Sequence, residues 1–233
     1  MFLYSKRERI ENFIFLGDAV GYGAYPNECV EKIDSAVNIK LVGNHEAGLL
    51  KTLPLSYFNT DAASAIKWTQ TVISSENLAK IKRWKSTASE IIKQTTISFS
   101  HSKLSQPEKW DYIFNEWDAL IEFKMTEPFK VDILFIGHTH VPCCYIHDID
   151  KDSVVSVLGE FNIVLEKNRR YIINTGSVGQ PRDRDIRSSF VVLDDKDMSV
   201  SLIRNHYEVT AASDSILKKN LPVFLASRLL KGV

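Results

Sequence analysis

Ile133-Leu134-Phe135-Ile136-Gly137-His138-Thr139-His140 is the stretch whose reading decides the fold. Four apolar residues form a run of the length a buried strand needs. Gly137 ends the run, and His138 and His140 follow one residue apart. Residues at i and i+2 of an extended segment point to the same side, so the two imidazoles are expected to face a common ion. The pattern recurs twice. Phe13 to Leu16 leads into Gly17 and Asp18, and Ile39 to Val42 leads into Gly43, Asn44 and His45. Sites in α/β proteins form beyond the carboxyl ends of strands. The three ends are therefore expected to converge on one site.

Working outward, Phe13 to Val42 reads as strand, loop, helix and strand, a βαβ crossover. Pro26 suits the first turn of its helix. Gly21 and Gly23 allow an irregular loop beside Asp18, but the Lys-Ser/Thr ending of a phosphate-binding P-loop is absent. Residues 46 to 94 read as mostly helical, with caps at Asn59 or Thr60 and at Ser75. Thr95 to Ser100 alternates as a strand and ends at His101. Ser105 and Pro107 then open an expected helix with Trp110, Ile113, Phe114, Trp117 and Ile121 on one face, a spacing usual for core. Beyond the His pair come strands from Val141, Val154, Phe161 and Arg170, and a Gly- and Pro-containing loop over 174–183. A hairpin around Asp195 to Asp197 and a helical tail broken near Pro222 complete the chain. Residues 1–233 are expected to form a single domain, without repeat or linker.

Composition narrows the function. Lys plus Arg and Asp plus Glu number 29 each, so the formal net charge is zero. That argues against a broad surface for nucleic acid or anionic membrane. No apolar run has the length of a membrane span or signal peptide. Three cysteines, Cys29, Cys143 and Cys144, do not make a disulfide framework, and a reducing cytoplasm is the expected location. The adjacent pair reads as core or strand residues rather than zinc ligands.

GDAVGYGAYPNECVE, VGNHE, the SH of FSHSKL, GHTHVP and NTGSVGQPRD occur in that order. Together they resemble the calcineurin-like metallophosphoesterases, in the small single-domain prokaryotic branch. The resemblance implies an α/β fold, a four-layer α/β/β/α sandwich. It also implies a metal-dependent phosphoesterase that hydrolyses a phosphomonoester or phosphodiester by attack of metal-bound hydroxide. Asp18 would bridge two divalent metals. Asn44, His101 and His138 would complete the second metal's set with Asp18, and His140 would go to the first. His45 would be the general acid or transition-state partner, so Asp18 and His45 are the expected catalytic pair. Mixed His, Asp and Asn donors suit Mn, Fe, Zn, Co or Ni. The implied partner is a phosphorylated small molecule or nucleotide-like substrate. Arg182 and Arg184 could reach its phosphate, although the adjacent Asp183 and Asp185 read equally well as a local ion-pair loop.

The family's opening motif, a strand ending in Asp-x-His, has no counterpart ahead of Phe13, and residues 1–12 read as the last turn of a helix. The fold is thus expected to miss its first strand, and the first metal to keep only Asp18 and His140. A fragment or misplaced start is the preferred explanation. A natural chain binding one metal with little or no catalysis, serving as a binding or regulatory module, is the alternative. Ligands from another copy of the chain are a third.

Overall fold

The computed structural model of the protein describes residues 10–233. The helix expected over residues 1–12 lies mostly outside them, and residues 10–12 are not helical. The βαβ unit forms as read. β1 (Ile14–Phe15) and β2 (Ile39–Lys40) pair in parallel across α1 (Pro26–Ala36). A short helix, α2 (Asn44–Leu49), starts directly after β2, followed by α3 (Thr60–Val72) and α4 (Ser75–Ile81). Asn59 caps α3 by accepting from Ala62 N–H. Ser74, not Ser75, caps α4 by accepting from Asn77 N–H.

Two expectations fail in the middle of the chain. Thr87–Ile92 is a strand, β3, and not part of a helical region. It makes a hairpin with β4 (Thr95–Ser100), turned at Lys93 and Gln94, whose φ values are 47° and 70°. Such two-residue turns need positive φ at both positions. Lys-Gln lacks the Asn or Gly that usually signals one. The helix expected from Ser105 also starts late. Only a 3-10 turn forms at Pro107–Lys109, Trp110 then takes φ 58°, and α5 (Glu116–Met125) begins after the Asn115 cap. Of the supposed apolar face, Ile113 is buried, while Phe114 and Trp117 are 63% and 69% exposed.

The remaining strands are β5 (Ile133–Ile136), β6 (Cys143–Asp148), β7 (Ser153–Leu158), β8 (Asn162–Val164), β9 (Arg169–Asn174), β10 (Ser188–Asp194) and β11 (Ser199–Asn205). One sheet runs β3-β4-β5-β9-β6-β7, with β4, β5 and β9 parallel. Opposite it lie the β1-β2 pair and a β10-β11-β8 sheet, separate from each other among the described residues. The strand alternation of β5 explains the layering. Ile133 and Phe135 enter the core between the sheets, with Leu41, Ile173, Val200 and Leu202. Leu134 and Ile136 face the other way, onto Ala119 and Phe123 of α5. On the far side, Val30 of α1, Leu49 of α2 and Ile81 of α4 pack with Phe15. Helix, sheet, sheet and helix follow one another, as the resemblance implies. α6 (Val209–Lys218) and α7 (Val223–Leu229) pack on Ala65 of α3. Cys143 and Cys144 are buried core residues, as read from their setting.

Candidate metal centre

The ends of β1, β2, β4 and β5 deliver Asp18, Asn44, His101 and His138 to one place. Asp18, His101 and His138 offer ligand atoms that all lie within 4.8 Å of one another. His101 Nε2 stands 3.2 Å from Asp18 Oδ2, 3.2 Å from Asn44 Oδ1 and 3.0 Å from His138 Nδ1. The backbone assigns the tautomers. His101 Nδ1 is 2.7 Å from the Leu16 carbonyl, and His138 Nε2 is 2.9 Å from the Trp110 carbonyl. A carbonyl only accepts, so in the neutral form of each ring the proton points away from the cluster. Four lone-pair atoms are thus turned on one another, an arrangement that repels unless a cation or a proton stands among them. The donor set, two imidazole nitrogens with carboxylate and amide oxygens, fits a divalent transition metal. Carbonyl anchoring of the outer nitrogen is how metal-binding histidines are held.

The charges agree. Burial works against the Asp18 carboxylate, but the imidazoles of His101 and His45 outweigh it and hold the group far below the carboxylate range. Burial also opposes charge on His101, yet Asp18 prevails and keeps this ring above its ordinary value. Burial, and next the His101 charge, push His138 down to about 3. A proton lost from His101 is therefore the opening a metal cation would fill.

The histidines do not converge for the reason the spacing suggested. His138 and His140 are not in an extended segment. Both take left-handed backbone, φ 64° and 61°, and Asp18 does the same at 64°. A tight turn, with Thr139 N–H donating to the Gly137 carbonyl at 2.8 Å, sets the pair. Asn174 of β9 pins this turn, its Nδ2 donating to the Gly137 carbonyl and to Thr139 Oγ1. His140 stands outside the ligand cluster. Its Nδ1 donates to the Gln180 carbonyl at 2.7 Å, which leaves Nε2 bare, and burial followed by the Arg182 charge pushes its pKa down to about 3.

Close approach governs the rest of the rim. A Cβ on Gly43 would meet Asp18 Oδ1 at 2.1 Å, and one on Gly21 would meet His45 Nδ1 at 2.0 Å. His45 is buried, its backbone N–H donates to Asp18 Oδ1 at 3.0 Å, and its ring lies between Tyr22 and Phe58. Burial lowers its pKa, and its Nδ1 has no partner among the described residues. Tyr22 thus packs on the candidate acid, whereas Asn27 is structural, bonding Val72, Ser74 and Asn77. His147, read as a packing residue, is buried against Phe123 and bonds Asp152.

The 174–183 loop departs from an ion pairing confined to itself. Asp183 pairs with Arg204 of β11, and Asp185 pairs with Arg187. Among the described residues Arg182 has no carboxylate partner. Gln180 Oε1 orients it at 2.8 Å, and its guanidinium lies over the Tyr22 ring. Arg184 is exposed.

Sequence reasoning passed over Glu46. Fully buried, it accepts N–H bonds from Asp18, Ala19 and Gly43 at 2.7–2.8 Å, and so clamps the β1 end to the β2 end. Burial and the Asp18 charge push its carboxyl up to about 7 against those donors. Its place three residues after Gly43, at the start of a helix, was the available signal.

Comparison with known proteins agrees with this architecture. The family model described as calcineurin-like phosphoesterase matches residues 3–142. An uncharacterized protein of Methanocaldococcus jannaschii is 37% identical over 228 residues, covering 97% of this chain and 89% of that protein. The crystal structure of a metallophosphoesterase from Sphaerobacter thermophilus superposes with a TM-score of 0.83 at 31% identity, covering 99% of this chain and 92% of that one. A hypothetical protein of Pyrococcus horikoshii OT3 shares the fold, with a TM-score of 0.75 at 17% identity over 100% and 90% of the two chains. A matched family model reaching from the N-terminal strands through the His138 turn, around a cluster built for a cation, places the chain in the calcineurin-like phosphoesterase family.

Proposed function

We propose that the protein is a metal-dependent phosphoesterase acting on a phosphomonoester or phosphodiester of a small molecule. The observation that carries this reading is the convergence of Asp18 Oδ2, Asn44 Oδ1, His101 Nε2 and His138 Nδ1, with the outer nitrogen of each imidazole held by a backbone carbonyl. These four residues would hold the metal. A divalent cation there supplies Lewis acidity to phosphoryl oxygens and acidifies a water. Mn, Fe, Zn, Co and Ni all suit the donors. The chain's own groups do the rest. His45, neutral because it is buried, offers a hydrogen bond to the leaving oxygen. Arg182, held by Gln180, orients a phosphoryl group. Three free cysteines suit a reducing cytoplasm, and no described helix is long and apolar enough to cross a membrane.

The test is turnover of p-nitrophenyl phosphate and its bis-ester with added Mn, on wild type, Asp18→Asn and His45→Ala. Expected are loss of activity for Asp18→Asn and a fall of about 10²–10⁴-fold for His45→Ala. Unchanged rates in both variants would remove the assignment. One observation favours a second reading, a metal-binding module with little catalysis. His140 lies outside the cluster, so among the described residues a first-metal set would have only His140 and Asp18 to draw on. One metal per chain with no turnover of either ester would establish that reading.

A further inference from the structure

The segment over the candidate centre carries aromatic rings that the fold does not bury. Tyr112 lies face to face on His138, ring centroids 4.1 Å apart and planes 8° apart. Phe114 stacks on Tyr112 at 4.8 Å and 19°. Between them Ile113 turns into the core at 2% exposure, while Tyr112 and Phe114 stay 42% and 63% exposed. Alternation along this extended stretch thus sends one side chain inward and two rings outward. The stretch is anchored to the centre. Trp110 accepts His138 Nε2–H through its carbonyl while holding φ 58°, a conformation a bulky residue adopts only under constraint. Beside Phe114 a recess of about 70 Å³ continues the apolar strip past Thr139 to Leu158, which is 68% exposed. Thr139 is the residue between the two site histidines.

We propose that Tyr112 and Phe114 form a stacking platform for a flat aromatic ring on the alcohol part of the phosphoester. The inference rests on the phosphoesterase reading and names its substrate class. A candidate ligand, His138, is the first ring of the stack, so a ring lying on Phe114 is within a few ring thicknesses of the phosphoryl site. No polar side chain lines the recess except Thr139 and Tyr145, so the platform selects flatness over a particular pattern of ring donors. Stacking on aromatic side chains has this tolerance.

The experiment compares adenosine 5′-phosphate with ribose 5-phosphate, which share a primary alkoxide leaving group and differ in the ring. Both kcat/KM with added Mn and calorimetric affinity for the metal-stripped protein are measured. Wild type is expected to favour the adenosine compound by about tenfold in both readouts. Phe114→Ala should bring the adenosine compound down to the level of ribose 5-phosphate, erasing the preference, and Phe114→Trp should restore it. Equal handling of the two compounds by wild type, or an equal loss on both in Phe114→Ala, overturns the platform. Should neither compound, nor p-nitrophenyl phosphate or its bis-ester, be hydrolysed while the ring-dependent affinity survives, the platform stands and the phosphoesterase reading falls.

Discussion

His101 and His138 face each other through their inner nitrogens, Nε2 of one lying 3.0 Å from Nδ1 of the other. The Leu16 and Trp110 carbonyls enforce this by taking the outer protons. A transition metal should therefore bind and stabilise the fold. At 100 times its Kd the gain is about 2.7 kcal/mol. Thermal unfolding with and without Mn or Zn measures it. His138→Ala should lose most of the upward shift; an undiminished shift in that variant would place the ion elsewhere.

Glu46→Gln keeps the size of the side chain but sets an NH₂ group against at least one of the three N–H donors now shared by its carboxylate. The variant should be destabilised by about 1–3 kcal/mol. Urea unfolding reads the loss. Metal affinity should fall with it, because the clamp sets the distance between Asp18 and Asn44.

Arg182→Ala removes a guanidinium held by Gln180 and, among the described residues, unopposed by a carboxylate. Loss of a charge-assisted contact to a phosphoryl group costs about 1.5–3 kcal/mol, or roughly 10–150-fold in kcat/KM. Steady-state kinetics on an active ester would show it. Arg182→Lys should recover only part, since a point charge replaces a fork.

The pH response of His140 has a definite sign. Burial, then the Arg182 charge, take its pKa from 6.5 to about 3 in the folded protein. Between those values the unfolded chain binds more protons, so stability falls as pH drops through this window. His140→Gln, with an amide able to reach the Gln180 carbonyl, removes that dependence. In chelator, the variant should lose less Tm than wild type between about pH 7 and about pH 5. Equal losses would show that His140 is not held neutral.

The strand ends were legible because each is local. Apolar runs at Phe13, Ile39 and Ile133 stop at glycine and are followed at once by a polar donor. The resemblance then assigned Asp18, Asn44, His101 and His138, and the cluster joins those four. What escaped was set by partners distant in sequence or by unusual dihedrals. β3 depends on a turn at Lys93 and Gln94 whose residues do not announce positive φ. The stripe from Trp110 to Ile121 has helical spacing, but a left-handed Trp110 breaks it, and the rings meant for a core stand in solvent. Even the His138 and His140 pair was found by an argument about extended backbone that their geometry contradicts.

Asp18, His138 and His140 each sit in left-handed backbone without being glycine. That conformation costs an L-residue about 1–2 kcal/mol. Glycine or asparagine would relax all three positions; at Asp18 and His138 glycine would delete the donor and asparagine would exchange it for an uncharged amide oxygen. Sturdiness and ion capture therefore pull in opposite directions at the same sites. A laboratory lineage selected only for heat resistance should drift toward those two residues and finish as a hardier protein with an empty centre.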